Sequence, residues 1–266
     1  MVAIKDGGQL MELSYGEYIK FIEESVNDKT LRRMADIVKP LGKFKLLANG
    51  QWVPLYYPGY TIITPTKGDD LVNIMTYQVL VEIIERLTGC LDLTKALPAP
   101  ATALHMTVAR LISGELFQKN ILNGREQELL SGVNSLFRTA ETFRPLEFEI
   151  KGISLLPQGV IAAMVSPVNE EDYTRLQSFR DYIYAHETLS KLGIERKRGF
   201  KGHITLFYIE DELIHSARKA LAACLAEINK EYFSQPLPFK IPRAEIRQFT
   251  DFLAFYRNDK WPTYSF

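Results

Sequence analysis

One series of elements occurs twice along the 266 residues, and that duplication restricts the folds open to the chain. A β-branched run, Tyr60-Thr61-Ile62-Ile63-Thr64, ends at Pro65, and a second, Val160 to Ser166, ends at Pro167. Acidic segments follow, Gly68-Asp69-Asp70 and Asn169-Glu170-Glu171-Asp172, placed to cap helices. Apolar residues then recur at helical spacing, Leu71, Met75, Val79, Ile83 and Leu87 in one copy, Leu176, Phe179, Ile183 and Leu189 in the other. Each copy next reads His-apolar-Thr-apolar: Leu104-His105-Met106-Thr107-Val108 and Gly202-His203-Ile204-Thr205-Leu206. A second helical segment (Gly124 to Thr142, Asp211 to Phe233) and a returning run (Pro145 to Ile150, Pro236 to Ile241) complete both. Proline to histidine spans 40 residues (65 to 105) and 36 (167 to 203).

A unit of strand, helix, His strand, helix, strand builds a sheet covered on one face. The expected fold class is α+β: two pseudo-symmetric lobes of antiparallel sheet, helices on the outer faces and a central cleft. Residues 1–42 form an N-terminal helical extension, helical from Ser14 to Val38, and residues 43–266 the bilobal domain. Asn49-Gly50, between Phe44-Lys45-Leu46-Leu47 and Trp52-Val53-Pro54-Leu55, marks a hairpin. Glu245 to Tyr256 reads as a further hairpin, while the aromatic tail from Asp259 to Phe266 has no readable role.

Residues i and i+2 of a strand share a face. His105 and Thr107 therefore stand side by side, as do His203 and Thr205, with Phe207 next along that face. Two titrating groups and two neutral donors suit a phosphate. The chain has four histidines, and a third, His186, also precedes a threonine by two. It falls at helical spacing, where residues two apart point to nearly opposite sides. His186 reads as a hydrogen-bonded core residue and His215 as a surface one.

Lys plus Arg equals Asp plus Glu, 32 each, so no global basic field exists for a long nucleic acid. Cys90 and Cys224 are the only cysteines, without the spacing of a zinc site, and no disulfide is expected. The first nine residues lack the apolar core of a signal peptide, and no run of about 18 apolar residues occurs. The expectation is a cytoplasmic monomer without membrane contact.

Paired His-x-Thr-apolar motifs on duplicated strand–helix units resemble the two-histidine (2H) phosphoesterase superfamily, which includes bacterial RNA 2',5'-ligases and cyclic phosphodiesterases. Length and the early hairpin resemble a little-characterised bacterial branch of it. The resemblance covers roughly Lys43 to the C-terminus and implies His105, Thr107, His203 and Thr205 as catalytic residues, with no metal and no cofactor. It implies a hydrolase opening a cyclic or 2'-linked nucleotide phosphate, with a small nucleotide or an RNA end as partner. One histidine would act as base and the other as acid, near an ordinary pKa of about 6.5. Which is which stays open at this level. Lys201 and Arg198, in the run Arg196-Lys197-Arg198 before the second motif, are candidate phosphate contacts, set against a solvated charge run. Phe207 and Tyr57 are candidate base-stacking residues, set against core packing. A noncatalytic nucleotide-binding or sensing module with the same cleft, and RNA-end processing or ligation, are the alternatives.

Overall fold

Caps and prolines set where the helical and extended patterns stop. The computed structural model describes residues 5–6, 9–10, 12–138 and 144–266. A short pair, β1 (Lys5–Asp6) with β2 (Gln9–Leu10), precedes two helices, α1 (Tyr15–Ser25) and α2 (Asp28–Ile37), where one helical stretch was expected. Ser14 caps α1 through a capping box with Glu17, and Asn27 accepts the Thr30 N–H at 2.8 Å to start α2 afresh. Tyr18, Ile22, Leu31 and Ala35 from these helices belong to the same continuous core as the two sheets. The hairpin forms as expected: β3 (Phe44–Leu46) pairs with β4 (Trp52–Pro54), and Gly50 takes the left-handed φ of 81° in its turn.

The first sheet runs in the order β13 (Thr263–Ser265), β12 (Arg243–Phe249), β5 (Gly59–Ile63), β7 (Thr107–Ser113). The second runs β11 (Leu237–Ile241), β8 (Leu146–Leu156), β9 (Val160–Pro167), β10 (His203–Ile209), β6 (Ala96–Pro98). Every pairing is antiparallel. Helix α3 (Ile74–Thr88) follows β5, and α4 (Glu115–Asn120) with α5 (Glu126–Arg138) follows β7. Helices α6 (Glu170–Ala185) and α7 (Glu187–Lys191) follow β9, and α8 (His215–Tyr232) follows β10.

The copies exchange parts. Tyr77 of α3 meets Phe239 of β11 edge-on at 6.1 Å, so the first copy's helix packs on the second sheet. Phe179 of α6 lies 4.1 Å from Tyr264 of β13, on the first. The returning segments, expected to close their own lobes, pair with each other, Leu237 opposite Ile150 and Ile241 opposite Leu146. Pro242 then ends β11, having no N–H to give a ladder, and β12 resumes in the first sheet with Glu245 opposite Ile63. The C-terminal hairpin is reduced to one bridge, Gln248 with Tyr256, and the aromatic tail supplies β13 at the sheet edge.

Four further expectations are corrected. Asp69 does not cap α3; its carboxylate lies 2.6 Å from Arg247, and Asp70 instead accepts the N–H groups of Val72 and Asn73. The helix expected from Gly124 begins at Glu126, because Gly124 sits at a kink with φ 87°; its expected end at Thr142 lies outside the described residues. The helix expected to reach Leu192 breaks at His186, whose ψ of 121° is extended; its buried Nδ1 has no partner among the described residues. Cys90 and Cys224 form a disulfide. They lie 134 positions apart, so no local spacing announces the pair. The side-by-side course of α3 and α8, also joined by Arg86 to Glu227 at 3.8 Å, brings them together.

Candidate active site

The two His strands touch at one point. Met106 and Ile204 form an isolated antiparallel bridge between the sheets. Antiparallel counting from that bridge puts His105 opposite Thr205 and Thr107 opposite His203. Met106 and Ile204 are fully buried, so the four neighbours, all half-buried, turn to the other face and into the cleft. Directly opposite pairs of this kind stand about 5 Å apart at Cβ and diagonal ones about 7–8 Å. The imidazoles occupy the diagonal, which leaves room for a tetrahedral anion between them. Neither threonine hydroxyl is engaged by another described residue.

Each histidine is held in the same way. Nδ1 of His105 lies 2.7 Å from the Ala103 carbonyl, and Nδ1 of His203 lies 2.7 Å from the Lys201 carbonyl. A carbonyl only accepts, so Nδ1 carries the proton and Nε2 is left as the free acceptor on the far side of the ring. Burial drives the His105 pKa down to about 4, assisted by the charges of His203 and Arg247 and opposed by the Ala103 carbonyl. Burial likewise lowers His203, with Arg110 and Lys201 adding to it. The empty site therefore holds two neutral imidazoles at neutral pH. A bound anion between them favours return of one proton.

Loop closure near the motifs is accounted for residue by residue. The Tyr18 hydroxyl, fully buried, donates to the Val165 carbonyl at 2.8 Å and accepts the Gly202 N–H at 2.9 Å. A Cβ on Gly202 would stand 2.9 Å from the Val165 carbonyl, so only glycine fits beside His203. Glu12 accepts the Phe200 N–H at 2.6 Å and pairs with Arg180 and Arg196.

Both His strands bulge at the same offset. Ile63 pairs with Thr107 and Ile62 with Ala109, leaving Val108 extra; Thr205 pairs with Ala162 and Phe207 with Ile161, leaving Leu206 extra. The freed carbonyls find donors, Arg180 for Val108 and the Ala99 N–H at 2.8 Å for Leu206. Each bulge reverses the alternation beyond it. Phe207 is therefore fully buried on the core face and does not line the cleft, contrary to the sequence expectation. Tyr208 and, in the first strand, Arg110 turn to the cleft face instead. The signal was present: apolar doublets, Val108-Ala109 and Leu206-Phe207, interrupt the alternation at the same place in both copies.

The other candidates divide. Arg196 is neutralised by Asp181 and Glu12, and Lys197 pairs with Glu195 at 3.8 Å, as a solvated charge run would. Arg198 and Lys201 are exposed, and Lys201 lies 5.0 Å above the Phe21 ring. Tyr57 is half-buried, stacked on Phe252 at 5.6 Å beneath the Lys43 ammonium at 3.8 Å. Phe255, not singled out from sequence, stands edge-on to His105 at 4.2 Å, and its carbonyl accepts from Arg247 at 3.2 Å. Among the described residues no cluster of three or more His, Cys, Asp or Glu is placed to hold a metal ion.

No family model matches the sequence, and no curated protein matches it. The structure is similar to the conserved protein of unknown function ATU0111 from Agrobacterium tumefaciens str. C58, with TM-score 0.58 and 17% identity, covering 77% of this chain and 86% of that one. The fold is 2H phosphoesterase-like. Lesser similarities to 2H-like structures include TT0787 of Thermus thermophilus, TM-score 0.48 and 16% identity over 78% of this chain and 97% of that one. E. coli LigT complexed with 3'-AMP gives TM-score 0.43 and 10% identity over 79% and 95%.

Proposed function

We propose that the chain is a phosphoesterase that hydrolyses a cyclic nucleotide phosphate of the 2',3' type by paired-histidine acid–base catalysis. The observation that carries the reading is the Met106–Ile204 bridge, which puts two imidazoles and two hydroxyls on one cleft face with both Nε2 atoms free. His105 and His203 differ in surroundings, and pairs of titrating groups pushed apart mark acid and base. His105, driven to about 4, is the base that takes a proton from water. The water oxygen bonds to phosphorus, the bond from phosphorus to one ribose oxygen breaks, and protonated His203 gives its proton to that oxygen. The product is a nucleoside phosphomonoester with a restored hydroxyl. Thr107 and Thr205 donate to the non-bridging oxygens as charge gathers on them.

The test is turnover of nucleoside 2',3'-cyclic phosphates in the presence of a chelator, then of a nucleoside 3'-(4-nitrophenyl) phosphate, whose leaving group needs no acid. His203→Ala is expected to lose about 10²–10⁴ on the cyclic substrate and to keep most activity on the nitrophenyl ester. His105→Ala is expected to lose on both, and Thr107→Ala or Thr205→Ala to lose less. The double histidine variant should fall far short of the product of the single losses. Chelator-sensitive turnover restored by a divalent ion, or wild-type rates in the double variant, would refute the mechanism.

A further inference from the structure

The two halves of the cleft differ five residues beyond each histidine. The bulges bring Arg110 of β7 and Tyr208 of β10 to equivalent places on the cleft face. Tyr208 is closed off: its ring packs on Phe44 at 5.2 Å and its hydroxyl donates to the Phe252 carbonyl at 3.0 Å. Arg110 is open and exposed, and its guanidinium has no carboxylate partner among the described residues. It lies close enough to Arg198, Tyr57 and Tyr184 to feel their charges, and His203 feels Arg110 and Lys201. Lys43, over Tyr57, adds a further cation to the same mouth. At the other mouth the opposite holds. Arg247, beside His105, is neutralised by Glu245 and by Asp69 at 2.6 Å.

Cations with no carboxylate between them repel one another. Such an arrangement costs stability unless an anion occupies it during function. Along the strand, Arg110 is three residues from Thr107, roughly 10 Å at most. That is about the reach of one sugar from the anion bound between the histidines. Tyr57, stacked on Phe252, borders the same end and offers an aromatic face.

We propose that Arg110 and Arg198 form a second anion subsite, which takes a phosphate carried on the 5' side of the same nucleoside whose cyclic phosphate lies between the histidines. This rests on the phosphoesterase reading and gives the cleft a direction: the 5' phosphate at the His203 mouth. The substrate class is then a nucleotide with two phosphates on one ribose. Its second phosphate is either a terminal monoester or the internucleotide diester of a short RNA end.

The probes are adenosine 3',5'-bisphosphate and adenosine 3'-monophosphate, titrated calorimetrically into the full chain. The bisphosphate is expected to bind at least about ten-fold tighter, as a charge-assisted guanidinium–phosphate pair warrants. That ratio should collapse to within about three-fold in Arg110→Met, and shrink in Arg198→Met, which sits in an exposed loop and keeps the test open if the β7 variant folds poorly. A wild-type ratio near one, or a ratio that survives both substitutions, overturns the subsite. Turnover separates this from the parent reading, using adenosine 2',3'-cyclic phosphate with and without a 5' phosphate. Hydrolysis of both at equal kcat/KM sinks the subsite and leaves the phosphoesterase standing. A bisphosphate preference lost in Arg110→Met, with neither cyclic substrate cleaved, sinks the phosphoesterase and leaves the subsite. A dinucleotide ending in a cyclic phosphate, compared with the 5'-phosphorylated monomer, tells the diester source from the monoester.

Discussion

Tyr18→Phe removes one oxygen and tests how the N-terminal helix supports the second histidine. The ring keeps its place, stacked on Phe200 at 5.5 Å and packed against Tyr173 at 5.0 Å. What goes is the hydroxyl that accepts the Gly202 N–H at 2.9 Å and donates to Val165 at 2.8 Å. An unsatisfied buried N–H costs about 1–3 kcal/mol, and the lost bond to a carbonyl about 0.5–1.5. The expected destabilisation is therefore about 2–4 kcal/mol. With a urea m-value of about 3 kcal/mol/M, the unfolding midpoint falls by about 1 M at unchanged m. Tyr15→Phe is the control: its hydroxyl is an exposed donor to Val168 at 3.4 Å, and its loss should cost under about 0.5 kcal/mol. Because the Lys201 carbonyl that orients His203 adjoins Gly202, Tyr18→Phe should also lower kcat/KM on cyclic phosphates by about ten- to a hundred-fold. Equal midpoints for the two variants would refute the argument that Tyr18 completes the strand at the site.

Three other outcomes are expected. With the His105 pKa depressed in the fold, the unfolded chain binds more protons between about pH 4 and 6.5, so stability is complete above 6.5 and falls as pH drops toward 4. His105→Gln should flatten that fall in thermal melts, and inorganic phosphate should raise the Tm more at pH 5 than at pH 8. Phe207→Ala should cost about 3–5 kcal/mol by urea unfolding and leave KM unchanged; a KM effect with intact stability would return Phe207 to the cleft. Reducing the Cys90–Cys224 disulfide, which closes a loop of 134 residues, should lower stability by about 2–5 kcal/mol, and intact protein should show no free thiol to alkylating reagents before reduction.

The strands, the hairpin and the two His motifs were legible because each is written in local period, and the duplication repeated the message. His105 and Thr107 alternate with Met106, and no tertiary contact is needed to say so. The misreadings arose where one extra residue resets the phase. Counting by twos past Thr205 reaches Phe207, yet the bulge at Leu206 sends Phe207 inward and hides Arg110 in the other copy from the same count. Asp69 looked like a cap because its sequence neighbours are helical; its partner, Arg247, comes from 178 positions away. The disulfide and the strand exchange at Pro242 are likewise properties of chain return, which no local pattern encodes.

That return also sets an order of events during synthesis. Ile63 finds its partner Glu245 only after 182 further residues (245 − 63), so the middle strand of the first sheet waits unpaired on that side for most of translation. Long-range pairings of this kind form slowly and leave sheet edges open to wrong partners meanwhile. A nascent chain stopped short of the last twenty or so residues would carry all four motif residues and still lack Phe255 against His105. The final segment to leave the ribosome is thus the one that turns a correctly written site into a finished one.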